Sequence, residues 1–191
     1  MFLIVLIVMT AFSGCKDQKE PTAGSTPAEK KRYFPVLDFL KGQIRIVDSL
    51  PSAILKITIE KNRKDSAFIQ RDEFNKLAQE FAMPALEQNM LEKNFKENSF
   101  IDQTTQSATF NYIALNDRSD LQRVDVLAGT DELQSKVKSV FIQESMNNKD
   151  TIIVKKLYWQ SNKRFQIITI MHAPGTQNTV RQLLVIWDAG G

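Results

Sequence analysis

Two hydrophobic periods divide the chain from Tyr33 onward. In "YFPVLDFLKGQIRIVDSLP", Val36, Leu40, Ile44 and Val47 recur at intervals of four, four and three, which lines one face of a helix. Pro35 suits the first turn of that helix, Gly42 weakens its middle, and Pro51 marks its end. "SAILKITIE" then switches to period two. Ala53, Leu55, Ile57 and Ile59 fall on one side of a strand, and Ile54, Lys56, Thr58 and Glu60 on the other. "KNRKD" reads as a polar turn. Phe74, Leu77, Ala78 and Phe81 form a second helical stripe, with Asp72 and Glu73 favourable near its positive end. Pro84 breaks that helix and opens a third, carrying Leu86, Met90 and Leu91, whose pattern fades by Lys96.

Beyond Gln106 the alternation predicts six strands: Ser107–Leu115, Leu121–Ala128, Lys136–Ser145, Thr151–Gln160, Arg164–His172 and Thr179–Trp187. Their connectors are short and polar. A parallel return needs a crossover of a dozen residues or more, so neighbouring strands must run antiparallel. "FIDQTTQ", around Asp102, has the composition of a hydrogen-bonded turn leading into the first of them. Helices first and strands later give an α+β fold, with N-terminal helices packed on a mainly antiparallel meander sheet.

The last strands break the usual rule for such a sheet. Phe165, Ile167 and Met171 alternate with Ile168 and Ile170, and Leu184 and Ile186 alternate with Leu183, Val185 and Trp187. A sheet covered on one side should be polar on the other. Either this sheet curls to bury both faces, the reading we favour, or it keeps an apolar surface for a ligand or partner. On the second alternative the partner site lies around Phe165 to Met171 and Leu183 to Trp187, with Phe165 and Trp187 as the residues expected to carry it.

The N-terminal residues have a different character. From Phe2 to Phe12 the chain is uncharged and almost wholly apolar. This is too short for a membrane span, which needs about 20 residues, and matches the apolar core of an export signal. Phe12-Ser13-Gly14-Cys15 then resembles the lipobox of bacterial lipoproteins. The resemblance covers about the first fifteen residues. It implies that a diacylglycerol is attached to the thiol of Cys15 and that a peptidase cuts just before it. The usual Lys or Arg ahead of the apolar core is absent here. Residues 16–32 hold no large apolar side chain, so they cannot bury enough surface to order themselves and read as a tether. As a flexible coil this tether spans roughly 20–25 Å. The expected organisation is a signal peptide over 1–14, a lipidated cysteine and tether over 15–32, and a single domain over 33–191. The resemblance also implies a cell-envelope location. Lys16 directly after the cysteine favours the periplasmic face of the outer membrane, and "CKDQKE" leaves the cell surface as the alternative.

Charge and chemistry narrow the function mainly by exclusion. The chain's net charge is +3, of which the tether carries +2, leaving about +1 for the domain. A nucleic-acid binder concentrates cations on its folded surface, so nucleic acid is not an expected partner. No phosphate loop, His-Glu-x-x-His or calcium-loop spacing occurs, and no metal or other cofactor is expected. Cys15 is the sole cysteine and His172 the sole histidine. No nucleophile elbow accompanies His172. The expected function is therefore a membrane-anchored, noncatalytic binding or assembly role, the ligand being a protein, a glycan or a lipid. The alternative is an envelope hydrolase whose site is built from dispersed residues including His172.

Overall fold

The structure is a computed structural model and describes residues 33–130, 136–148 and 150–187. All of these belong to one unit, Arg32–Gly191. Cys15, the signal run and the tether lie outside the described residues.

Among the described residues three α-helices and nine strands follow one another as α1 (Val36–Ser49), β1 (Ile54–Glu60), β2 (Arg63–Ile69), α2 (Arg71–Ala78), α3 (Gln88–Asn94), β3 (Phe95–Asp102), β4 (Ser107–Ala114), β5 (Leu121–Gly129), β6 (Val137–Asn148), β7 (Thr151–Gln160), β8 (Arg164–His172) and β9 (Thr179–Ile186). Short 3-10 turns at Gln79–Phe81 and Pro84–Leu86 lie between α2 and α3. The strands form one antiparallel sheet in the order β2-β1-β9-β8-β7-β6-β5-β4-β3. From β3 to β9 each strand pairs with its successor, and β9 then pairs with β1. The first hairpin is thus added beside the last strand.

The six late strands stand where the alternation predicts them, but the sheet gains two that it does not. Residues 61–65 are not all turn. The turn is Lys61 and Asn62, both at positive φ, and Arg63 already pairs with Glu60. Two successive left-handed residues match the right-handed twist of a two-residue hairpin. β2 is an edge strand, exposed at every position except Ile69, so its sequence lacks the alternation of a half-buried strand. β3 begins at Phe95, directly after α3, and forms the opposite edge, mostly exposed. The turn between β3 and β4 is built as its composition indicates. Asp102 Oδ1 accepts from the backbone N–H of Thr104 (2.8 Å) and Thr105 (3.3 Å), and Thr105 Oγ1 donates to Asp102 Oδ2 (2.8 Å). These bonds, that from the Thr105 hydroxyl first, hold the carboxyl below its ordinary pKa.

One hydrophobic cluster unites the predicted helical stripes with one face of the sheet. Val36, Leu40, Ile44, Val47, Phe74, Phe81, Leu86 and Leu91 are buried with Val126, Val140, Ile142, Leu157, Trp159, Phe165, Val185 and Trp187. Aromatic rings form its centre. Phe74 lies 5.9 Å from Phe165 and 5.7 Å from Trp187 between ring centroids, and Phe81 lies 5.1 Å from Trp159. From α1, Gln43 Oε1 accepts from the backbone N–H of Asn162 (3.0 Å) and from Trp159 Nε1 (3.5 Å). The start of the unit is pinned by a tyrosine pair. Tyr33 Oη donates to the Phe95 carbonyl (3.1 Å), and Phe34 N–H donates to Tyr112 Oη (3.0 Å). Tyr112 is fully buried, and loss of solvent pushes its phenol well above the usual pKa.

Candidate functional site

Pairing register turns the face shared with the helices into rows. Val185, Phe165, Trp159 and Val140 make one row across β9, β8, β7 and β6. Two residues further along each strand come Leu183, Ile167, Leu157 and Ile142. Both rows are wholly apolar. The next row is Glu60, Arg181, Thr169, Lys155 and Glu144, running across β1, β9, β8, β7 and β6. The row after that holds Thr179 on β9 and then returns to apolar Met171, Ile153 and Met146. A continuous polar stripe therefore crosses the core-bearing face of the sheet, in its central strands and not at its edge.

A cleft of about 400 Å³ opens above this stripe. Its floor combines Thr169 and the cations of the polar row with Ile167 and Leu183 on one side and Met171 on the other. Its far wall is the C-terminal half of α2 and the turn beyond, through Lys76, Leu77 and Glu80. Helical spacing explains the wall. Phe74, Ala78 and Phe81 point into the core, so Lys76 and Glu80 emerge at its margin and Leu77 lies half-buried between. The volume falls within the range of small-molecule pockets.

The rim charges differ in how firmly they are held. Lys155 Nζ donates to Glu80 Oε2 at 2.6 Å, and the two side chains are 24% and 43% exposed. Glu144 is the direct cross-strand neighbour of Lys155. Burial raises the Glu144 carboxyl above its ordinary pKa, Glu80 and Asp120 add to the rise, and Lys155 opposes it. Lys155 is thus neutralised within the protein. Arg181 is less engaged: its Nε lies 3.9 Å from Glu60 Oε2, and its side chain is 58% exposed. Lys76 has no ion-pair partner among the described residues, and the hydroxyl of Thr169 has no hydrogen-bond partner among them.

The residues singled out from the sequence lie elsewhere. Phe165 is fully buried and Trp187 is 2% exposed, their centroids 6.1 Å apart in the aromatic cluster. Alternation places both on the face shared with the helices, so neither presents a surface to a partner, and this corrects the expectation that they front one. His172 lies at the end of β8, on the opposite face, where Nδ1 donates to Asn178 Oδ1 (2.7 Å). No serine or carboxylate joins that pair among the described residues. Asn178 also lines a broad groove of about 610 Å³ with Ile59, Lys61, Asn62, Gln177 and Gln182. No group of three or more His, Cys, Asp or Glu able to hold a metal occurs among the described residues. The signal for the cleft was present in the sequence as Lys155, Thr169 and Arg181, polar positions that fall on the same side of β7, β8 and β9 as the buried apolar residues. Only the register shows that the three are neighbours.

In comparisons with family models, with curated proteins and with solved structures, nothing matches this chain.

Proposed function

We propose that the protein is a noncatalytic binding module of the cell envelope, held to a membrane by lipid on Cys15 and carrying its ligand site in the cleft between α2 and the sheet. On this reading the helices form a layer over one face of the sheet, and the cleft is where that layer ends. The observation that carries the binding role is the polar stripe itself. Charged side chains placed among core strands cost desolvation energy and add little stability as partly exposed ion pairs. Their arrangement around an open cleft suits recognition. Among the described residues no helix is long and apolar enough to cross a membrane, so the membrane attachment in this proposal rests on the lipobox resemblance alone. Lys16 after the cysteine supports the periplasmic face of the outer membrane, and the tether lets the domain stand off it.

Both parts are testable in the native envelope. Mass spectrometry of the membrane-extracted protein should show an acylated N-terminal Cys15; an intact chain with a free thiol removes the anchor from the proposal. For the site, a photoreactive residue is placed at Leu77, in the cleft, or at Ile113, which is 45% exposed on the opposite face. Adducts from position 77 and none from 113 support the cleft. Equal labelling from both positions places the binding surface elsewhere.

A further inference from the structure

We infer that the ligand of this cleft is a single-chain amphiphile with one anionic headgroup, and that Arg181, assisted by Lys76 and the Thr169 hydroxyl, receives the head. The inference rests on the cleft being the binding site and adds the chemistry of what it binds. Three observations lead to it. The lining residues carry three cations, Lys76, Lys155 and Arg181, against two carboxylates, Glu60 and Glu80. Among these lining residues Lys155 is ion-paired with Glu80. What remains is Arg181 and Lys76 facing Glu60 alone, one positive charge in excess at the cleft mouth. A guanidinium so loosely tied keeps its planar fork of donors available to a carboxylate or phosphate.

The rest of the lining is apolar. Leu77 from α2 and Ile167 and Leu183 from the sheet bound one side of the polar stripe, and Met171 bounds the other. A fully hydrated anion would leave these side chains uncovered, and a purely apolar molecule would strand Arg181 and Lys76. A molecule with one charged end and one hydrocarbon chain satisfies both. Met171, 37% exposed and unbranched, supplies an adaptable contact for a chain of variable length. A dication or a zwitterion with an outer ammonium would set a second positive charge against Arg181.

The probe is a fatty carboxylate bearing a diazirine in its chain, applied to the full-length protein in nanodiscs of uncharged net headgroup. Labelling sites are mapped by mass spectrometry. Dodecanoate, dodecyl phosphate and dodecyltrimethylammonium are the competitors, each below its micellar concentration. Labelling should concentrate on the peptides holding Leu77, Ile167 to Met171 and Leu183. Either or both of the two anions should suppress it at concentrations at least about tenfold lower than the cation, the factor expected of one charge-assisted contact. Whichever anion competes better identifies a carboxylate or a phosphate head. Arg181→Gln and Lys76→Gln, both at exposed positions, should each reduce labelling while circular dichroism stays unchanged. Suppression by the cation as readily as by the anions, or undiminished labelling in both variants, overturns the anionic head while leaving the cleft as the site. Labelling that avoids the cleft peptides overturns the site itself.

Discussion

The two faces of β8 and β9 are made of similar residues and have different fates. On one, Phe165, Ile167, Val185 and Trp187 are buried beneath aromatic side chains from α2 and the turn that follows it. On the other, Ile168, Ile170, Leu184 and Ile186 remain half-buried. The ring contacts of Phe74 and Phe81 and the hydrogen bonds of Gln43 run to the first face. Neither expectation for the doubly apolar strands is met in full. The second face is not buried, and its side chains shield one another across neighbouring strands, with Ile152 and Val180 exposed at its margin. Hydrophobicity marks a strand as belonging to the middle of a sheet. On these two strands and just beyond them, the buried face carries the rings of Phe165 and Trp187, and the open one carries β-branched and leucine residues that fit a pleated surface without a covering layer.

The largest effect should come from cutting the aromatic cluster. Trp187→Ala or Phe165→Ala removes a fully packed ring and leaves a cavity, at a cost of about 3–5 kcal/mol. A domain of this size is stable by only about 5–15 kcal/mol, so either change should lower the thermal midpoint sharply or prevent folding. Ile168→Ala and Leu184→Ala, on the open face, should cost about 1 kcal/mol each. Denaturant melts of the four variants test the comparison directly. Equal losses on both faces would show that the second face is covered after all.

An intermediate effect should separate two amides. Gln43→Leu takes the acceptor from a buried donor, Trp159 Nε1, and from the Asn162 N–H in the turn after β7, and should cost about 1–3 kcal/mol. Gln166, at a half-buried position on the open face, pairs across the sheet with Tyr158 and Leu184. Gln166→Leu should change stability by no more than about 0.5 kcal/mol. The Gln43 variant should also speed amide exchange at Asn162, which isolates the lost hydrogen bond from general loosening.

The same contrast explains what could be read from the chain. The stripe Val36, Leu40, Ile44 and Val47 is buried as spaced, because a helix with one apolar face has one way to hide it. β4 to β9 were legible because central strands must be apolar at regular intervals. β2 and β3 were not, because edge strands escape that demand: Arg63, Lys64 and Asp65, or Lys96 and Glu97, are compatible with pairing on one side only. Phe165 and Trp187, for which burial was favoured and a partner surface kept as the alternative, could not be decided for a different reason. Period two assigns residues to two faces but does not say which face the helices take. The cleft was hidden for a related cause, since Glu60, Thr169 and Arg181 become neighbours only through the pairing of β1 with β9 and of β9 with β8.

The smallest effect, and the sharpest in sign, concerns two carboxylates in opposite environments. Glu144 sits on the covered face, where burial raises its pKa above the usual 4.5 for glutamate. Asp102 stands at the end of β3, where hydrogen bonds from Thr105 and Thr104 lower its pKa below the usual 3.8. The folded protein holds its proton on Glu144 more tightly than the unfolded chain does. This group therefore favours the folded state most at low pH, and its contribution falls as pH rises through its folded pKa. Asp102 acts the other way: its contribution is present above its unfolded pKa and is lost as pH falls through the folded one. Glu144→Gln should flatten the decline in stability on the alkaline side of 4.5, and Asp102→Asn should flatten the loss on the acid side of 3.8. Side-chain carboxyl titrations by NMR, run beside denaturant melts across the same range, supply both signs. If Glu144 titrates below the usual glutamate value, Lys155 outweighs burial. The polar row would then be a firm salt-bridge network, with Glu144 fully charged behind the cleft that Arg181 and Lys76 are proposed to serve.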